Sequence, residues 1–180
     1  MGKRILIFLV IVGLGVTAYL IMFKPEEEPI IDINNFQECI SAGYIVMESY
    51  PRRCRTPDGK TFTENIGNEL EKSDLIRVNT PRPNQIVQSP FIIKGEARGY
   101  WFFEADFLIV LVDWDGLIIA ESIARAKSEW MTEDFVPFEA EIEFEKPTLK
   151  NNGTLIFRKD NPSGLPEHDD ALEVPIFFEQ

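Results

Sequence analysis

The stretch FEADFLIVLVDWDG, Phe103 to Gly116, sets the fold class of the chain. Ala105, Phe107, Ile109 and Leu111 fall on one face of an extended segment, and Asp106, Leu108, Val110 and Val112 fall on the other. Apolar side chains on both faces predict a central, covered strand. Asp113-Trp114-Asp115-Gly116 then reverses the chain, and Leu117 to Lys127 returns as a hairpin partner. Other short β-rich runs, LIRV, QIV, FIIKGEA, VPFEAEIEF, TLIFRKD and LEVPIFF, lie on either side and are separated by turn residues. Such spacing predicts an all-β sandwich over residues 75–180. Within it, Phe138, Ala140, Ile142 and Phe144 alternate with Glu139, Glu141 and Glu143, so one face of that strand packs and the other is wet. Asn152-Gly153 reads as a tight reversal and, with Thr154, also fits a glycosylation sequon.

The chain is strongly acidic, with 18 basic against 30 acidic residues and a formal net charge of -12. Binding to a phosphate backbone depends on Lys and Arg displacing counterions, so nucleic acid is excluded as a natural partner. Residues 5–23, ILIFLVIVGLGVTAYLIMF, form an uncharged apolar run long enough for a helix to cross a hydrocarbon core of about 30 Å. Lys3 and Arg4 precede the run, whereas Lys24 is followed by PEEEP. The positive-inside bias therefore predicts a single-pass anchor with its amino terminus in the cytoplasm and the rest of the chain outside. Val16-Thr17-Ala18 also fits a signal-peptidase site, which leaves cleavage open as an alternative. On the anchor reading, residues 1–24 are a cytoplasmic stub and transmembrane helix, and residues 25–31 are a stiff acidic tether.

Residues 32–65 carry both cysteines of the chain, Cys39 and Cys54. Asn35 with Glu38 forms a capping box and Gly43 suits a left-handed stop, so Phe36 to Ala42 reads as two helical turns. RRCRT and KTFTE then flank the reversal Pro57-Asp58-Gly59. An even cysteine count beyond a membrane anchor favours a disulfide, here one tying the helix to the hairpin. A redox pair is the rival, although no Cys-x-x-Cys spacing is present to depress a thiol pKa. Residues 66–74 are polar and glycine-punctuated, a linker with room for a short helix.

Gly99-Tyr100-Trp101-Phe102-Phe103-Glu104-Ala105, then Asp113 with Gly116, Glu129-Trp130-Met131-Thr132, Pro137-Phe138-Glu139-Ala140 and Lys159 to Glu167 occur in a specific order and spacing. Together they resemble the bacterial spore germination immunoglobulin-like domain over about Ile76 to Phe178. The resemblance implies an immunoglobulin-like sandwich on the outer side of a bacterial cytoplasmic membrane. The expected fold is thus an all-β immunoglobulin-like sandwich preceded by a transmembrane helix and a small disulfide-clasped αβ module. The expected role is binding, with an envelope protein or a cell-wall polymer as partner and no cofactor.

Candidate chemistry is sparse. The chain's one histidine, His168, sits in RKDNPSGLPEHDD among Asn, Pro, Ser and Gly residues that serve a tight connection, with no second histidine for a zinc site and no nucleophile motif. No catalytic residue is assigned. Asp113 and Asp115 at a strand end are the weak candidates for a calcium site, and a metal-dependent envelope enzyme built on such carboxylates is the alternative function. Tyr100 and Trp101, which follow Gly99 in a loop, are the candidate binding surface, since aromatic residues are enriched at binding hot spots.

Overall fold

The structure, a computed structural model, describes residues 32–179. The anchor expected over residues 5–23, with its stub and tether, lies outside the described residues. Among the described residues no helix is long and apolar enough to cross a membrane.

Asn35 caps helix α1 (Phe36–Ser41): its Oδ1 accepts from Glu38 N at 2.8 Å, and its Nδ2 donates to Glu38 Oε1 at 2.6 Å. The helix stops at Gly43, whose φ of 78° lets Gly43 N reach Ile40 O and Tyr44 N reach Cys39 O, the paired bonds of a Schellman ending. Three short strands follow, β1 (Ile45–Met47), β2 (Arg53–Arg55) and β3 (Thr61–Thr63), in that spatial order. Cys54 in β2 is bonded to Cys39 in α1, and both are fully buried. The disulfide closes a 15-residue separation. In the chain-entropy model such a loop is worth about 3 kcal/mol, much of what so small a unit can gather.

The segment 66–74 contains helix α2 (Glu69–Lys72) and is bonded to the last strand of the sandwich. Asn68 Nδ2 donates to Ala171 O at 3.0 Å and its Oδ1 accepts from Glu173 N at 2.7 Å. One side-chain amide thereby satisfies strand-edge groups that would otherwise be unpaired. Gly67, at φ 67°, sits so close to this strand that a Cβ would lie 1.9 Å from Glu173 O.

Eight strands form the main body: β4 (Ile76–Thr80), β5 (Ile86–Val87), β6 (Phe91–Arg98), β7 (Asp106–Asp113), β8 (Ile118–Ala126), β9 (Phe135–Ile142), β10 (Asn152–Arg158) and β11 (Ala171–Phe178). Their hydrogen-bonded order is β4-β6-β9-β8-β7-β10-β11-β5. All neighbours are antiparallel except β5, which runs parallel to β11. The β8–β9 junction is only two residue pairs long, and there the set folds into two facing layers, β4-β6-β9 and β8-β7-β10-β11-β5. Rings meet across the gap: Phe138 of β9 lies 5.0 Å from Phe107 of β7 and 6.2 Å from Phe157 of β10. These distances define a sandwich with its core between the layers. Pro81 and Pro83 lie between β4 and β5, where the chain leaves one layer for the other.

As the alternation predicts, β7 is central, between β8 and β10, with Phe107, Ile109 and Leu111 fully buried. Its other face is partly covered, Leu108 and Val112 being half-buried. The Asp113–Leu117 turn is also as expected, Gly116 taking φ 82°. Asn152-Gly153 differs from expectation. Instead of forming a reversal, both residues lie within β10, paired with Phe177 and Ile176. Gly153 is required for space: a Cβ would stand 2.6 Å from both the Phe178 ring and Val112 O.

Polar contacts fasten the clasped module to the sandwich. Buried Glu64 accepts from Arg52 Nε at 2.9 Å and Nη2 at 2.5 Å, and from Asn84 Nδ2 at 3.1 Å, while Asn84 N donates to Pro175 O at 2.7 Å. Those Arg52 bonds hold the Glu64 carboxyl below its ordinary value of 4.5. Nearby, the Tyr50 hydroxyl donates to Glu69 and accepts from Arg82 Nη2 at 2.9 Å, and Arg82 Nη1 pairs with Glu69 at 2.6 Å. Burial first, then the Glu69 carboxylate, pushes the Tyr50 hydroxyl up to about 12.

Two measurements test these features. Gly153→Ala is expected to lower stability by about 1–3 kcal/mol in urea unfolding, through overpacking against Phe178. The pH profile of the urea midpoint should show both linkages. The Glu64 contribution is present above about pH 4.5 and fades as pH falls through its depressed folded value, whereas that of Tyr50 is present below pH 10 and fades as pH rises toward 12. Glu64→Gln should flatten the acid limb relative to the parent, and Tyr50→Phe the alkaline limb; unchanged limbs would disprove the assignments.

Candidate binding surface

One end of the sandwich is built by the β6–β7 and β10–β11 connections. Strand β6 ends at Arg98, and Gly99 N donates to Asp134 O at 3.1 Å. Gly99 is there because nothing larger fits: a Cβ would lie 2.0 Å from Thr132 O and 2.2 Å from Trp130 O. A single 3-10 turn, Gly99–Trp101, follows and is closed by Phe102 N donating to Gly99 O. So tight a turn sends consecutive side chains in different directions. Trp101 is fully buried, Phe102 is buried with its ring 5.2 Å from Phe107, and Tyr100 is 50% exposed.

Phe103 and Asp106 exchange backbone hydrogen bonds around Glu104 and Ala105, which take φ values of 53° and 68°. This two-residue reversal has left-handed backbone at both central positions, a geometry usually given to Asn and Gly. Glu and Ala adopt it at a cost of roughly 1–2 kcal/mol each. The surroundings enforce it, since Ala126 N donates to Ala105 O at 2.9 Å. Its effect is to leave Phe103 42% exposed, in the same cleft as Tyr100.

The β10–β11 connection is braced internally. Asn161 Nδ2 donates to Leu165 O and to Asp169 Oδ1, each at 2.8 Å, and Ser163 Oγ donates to Asn161 Oδ1 at 2.5 Å. The loop is fastened to the first connection by Asp160 N donating to Trp101 O at 3.0 Å. Tyr100, Phe103, Asn161, Ser163 and His168 then line one open cleft of about 350 Å³. It can offer two exposed aromatic side chains and an imidazole to a ligand, the Asn161 amide and Ser163 hydroxyl being spent within the loop.

The sequence-derived candidates divide here. Tyr100 is on the surface as expected. Trp101 is corrected to a core residue, because the 3-10 turn points its indole inward, where Nε1 is buried without a hydrogen-bond partner. Phe103, not singled out from the sequence, takes its place at the surface. The signal for it is subtle: Phe103 is separated from β7 by the two-residue reversal Glu104-Ala105, which restarts the phase of the alternation. His168 lies in the short 3-10 turn Pro166–His168, exposed at the cleft. Asp113 uses Oδ1 to accept from Asp115 N at 2.9 Å and Leu117 N at 3.0 Å, the work of a turn. Among the described residues, no group of three or more His, Cys, Asp or Glu side chains is placed to hold a metal ion.

A two-layer sandwich with a parallel strand β5 on β11 and paired loops at one end defines an immunoglobulin-like domain. The chain matches the immunoglobulin-like domain of bacterial spore germination over residues 75–165 and belongs to that family. No curated relative and no solved structure matches it. The matched span includes Tyr100, Phe103 and Asn161, so most of the cleft lies in the family domain, and membership suggests a role in binding or interaction.

Packing and recognition are separable at this end. Trp101→Ala is expected to cost about 3–5 kcal/mol, while Tyr100→Ala should change stability by no more than about 0.5 kcal/mol. Thermal melts of the two variants check this; comparable losses would show that Tyr100 also carries the fold.

Proposed function

We propose that the chain is a non-enzymatic binding protein of the bacterial envelope, which presents the Tyr100 and Phe103 end of its sandwich to an envelope protein or cell-wall polymer. The observation that carries this reading is the exposure of those two aromatic side chains, at 50% and 42%, in the lining of one cleft, on a backbone that is strained to present one of them. Large aromatic side chains left in solvent beside satisfied polar groups are the composition of a hot spot. The paired loops at one end of an immunoglobulin-like sandwich are also where antibody variable domains bind their antigens. Rigid anchoring of the loops through Trp101 and Asp160 lowers the ordering cost of association.

Residues 5–23 supply the membrane anchor in this reading, with the amino terminus inside and the sandwich in the extracytoplasmic space. The distribution of Lys3, Arg4 and the acidic residues after Lys24 supports that orientation, and a disulfide between Cys39 and Cys54 suits an oxidising compartment.

Affinity capture from detergent-solubilised envelope, with the full chain as bait, tests the proposal. The parent chain should retain a specific partner, and Tyr100→Ala combined with Phe103→Ala should reduce its recovery at least tenfold at an unchanged melting temperature. Equal recovery by parent and variant would sink the assignment of this surface.

A further inference from the structure

A second cleft, of about 520 Å³, opens where the clasped module meets β10 and β11. Its size falls within the roughly 300–1,000 Å³ of small-ligand sites. One wall comes from α1 and β3, the other from β10 and β11. Neither is loose. The Cys39–Cys54 disulfide holds α1 to the three-stranded sheet, and the Arg52–Glu64–Asn84 contacts hold that sheet to the sandwich.

The lining is unlike the rest of this acidic chain. Arg52 and Glu64 are its two charged residues, and they neutralise each other at 2.5 Å. Four of the nine asparagines in the chain, Asn35, Asn65, Asn84 and Asn152, line this one cleft, so its hydrogen-bonding groups are mostly uncharged amides. Three of these serve the walls: Asn35 caps α1, Asn65 accepts from Gly67 N, and Asn84 bonds Glu64. Four further groups are unspent. Among the described residues, the side chains of Gln37, Thr63, Asn152 and Thr154 have no intramolecular partner. They come from both walls, and each can donate and accept.

Phe177 completes the set. It is half-buried in the same lining and makes no ring contact with another aromatic residue. An apolar ring beside several neutral donor–acceptor groups matches a ligand with an apolar C–H face and a rim of hydroxyl or acetamido groups. A charged ligand would find no unpaired countercharge. An extended peptide would find no strand edge on the β10 wall, since β10 is hydrogen-bonded to β7 on one side and β11 on the other, and on the opposite wall only the three-residue edge of β3, too short to seat a strand.

We infer that the cleft between the clasped module and the sandwich binds a neutral saccharide, one or two rings of an uncharged or N-acetylated glycan. Gln37 and Thr63 contribute from the module, and Asn152, Thr154 and Phe177 from the sandwich. The module is then half of a binding site, separate from the Tyr100 and Phe103 end.

Calorimetric titration of the full chain in a sugar-free detergent tests this, with the N-acetylglucosamine tetramer, the glucose tetramer cellotetraose and an anionic galacturonate tetramer as probes. Saturable binding is expected for at least one neutral tetramer and none for the anionic one. Gln37→Ala and Asn152→Ala, both at exposed positions, should each weaken binding about tenfold without lowering the melting temperature. Tyr100→Ala should leave it unchanged. The inference is overturned if neither neutral tetramer binds, if the anionic one binds better, or if both cleft variants retain the parent affinity.

Discussion

The contact of Phe138 with Phe107 and Phe157 is the constraint on which the rest of the structure depends. Phe138 belongs to the β4-β6-β9 layer, and its two partners belong to the other. Both cysteines lie in the clasped module, so no disulfide joins these layers, and beyond the short β8–β9 pairing at one corner they are held face to face by apolar packing. Each aromatic contact adds about 0.5–1.5 kcal/mol beyond the area it buries. The rings constrain their neighbours as well: a Cβ on Gly95 would stand 2.6 Å from the Phe138 ring, and 2.3 Å from Arg77 O on the other side. Phe102 continues the series toward one end of the sandwich through Phe107, and from there the core controls the loops.

Control passes through Trp101. An indole that fills the end of the core fixes the 3-10 turn around it, and a fixed turn leaves Tyr100 no choice but to face solvent. The Trp101 carbonyl then receives Asp160 N, so the second loop is positioned by the same residue. Burying an indole N–H with no partner has a cost, which the apolar contacts of a fully buried Trp offset. A braced loop pair with exposed aromatic side chains results, and such pre-ordering lowers the entropic cost of association in the proposed role.

The module is attached by a different kind of force. Its hydrogen bonds to the sandwich, Arg82 to Tyr50 and Asn84 to Glu64 and Asn65, are polar, and two ion pairs set their ends in place, Arg52–Glu64 inside the module and Arg82–Glu69 between the sandwich and α2, each with its carboxylate largely buried. Such networks contribute modestly when complete and cost much when one member is removed, so they specify an orientation more than they add stability. That orientation is what creates the cleft beside β10 and β11. The family match begins at residue 75, after the module, so the cleft is a property of this chain's own arrangement and not of the family domain by itself.

Local physics made much of this legible from the sequence alone. The side-chain period of a strand is two, so FEADFLIVLVD and FEAEIEF announce their buried faces. The Asn35–Glu38 cap, the stop at Gly43, the Asp113–Gly116 turn and the cysteine clasp depend on residues a few positions or one short loop apart, and all are present. What required the tertiary structure was every feature set by a distant partner. Asn152-Gly153 resembles a turn until β7 and β11 pair with it on both sides. Tyr100 and Trp101 are chemically similar neighbours, and only the core space beside them decides that one is buried and the other exposed. The cleft gathers Gln37, Thr63, Asn152 and Phe177 from four separate elements, and no spacing in the chain encodes a meeting that packing alone produces.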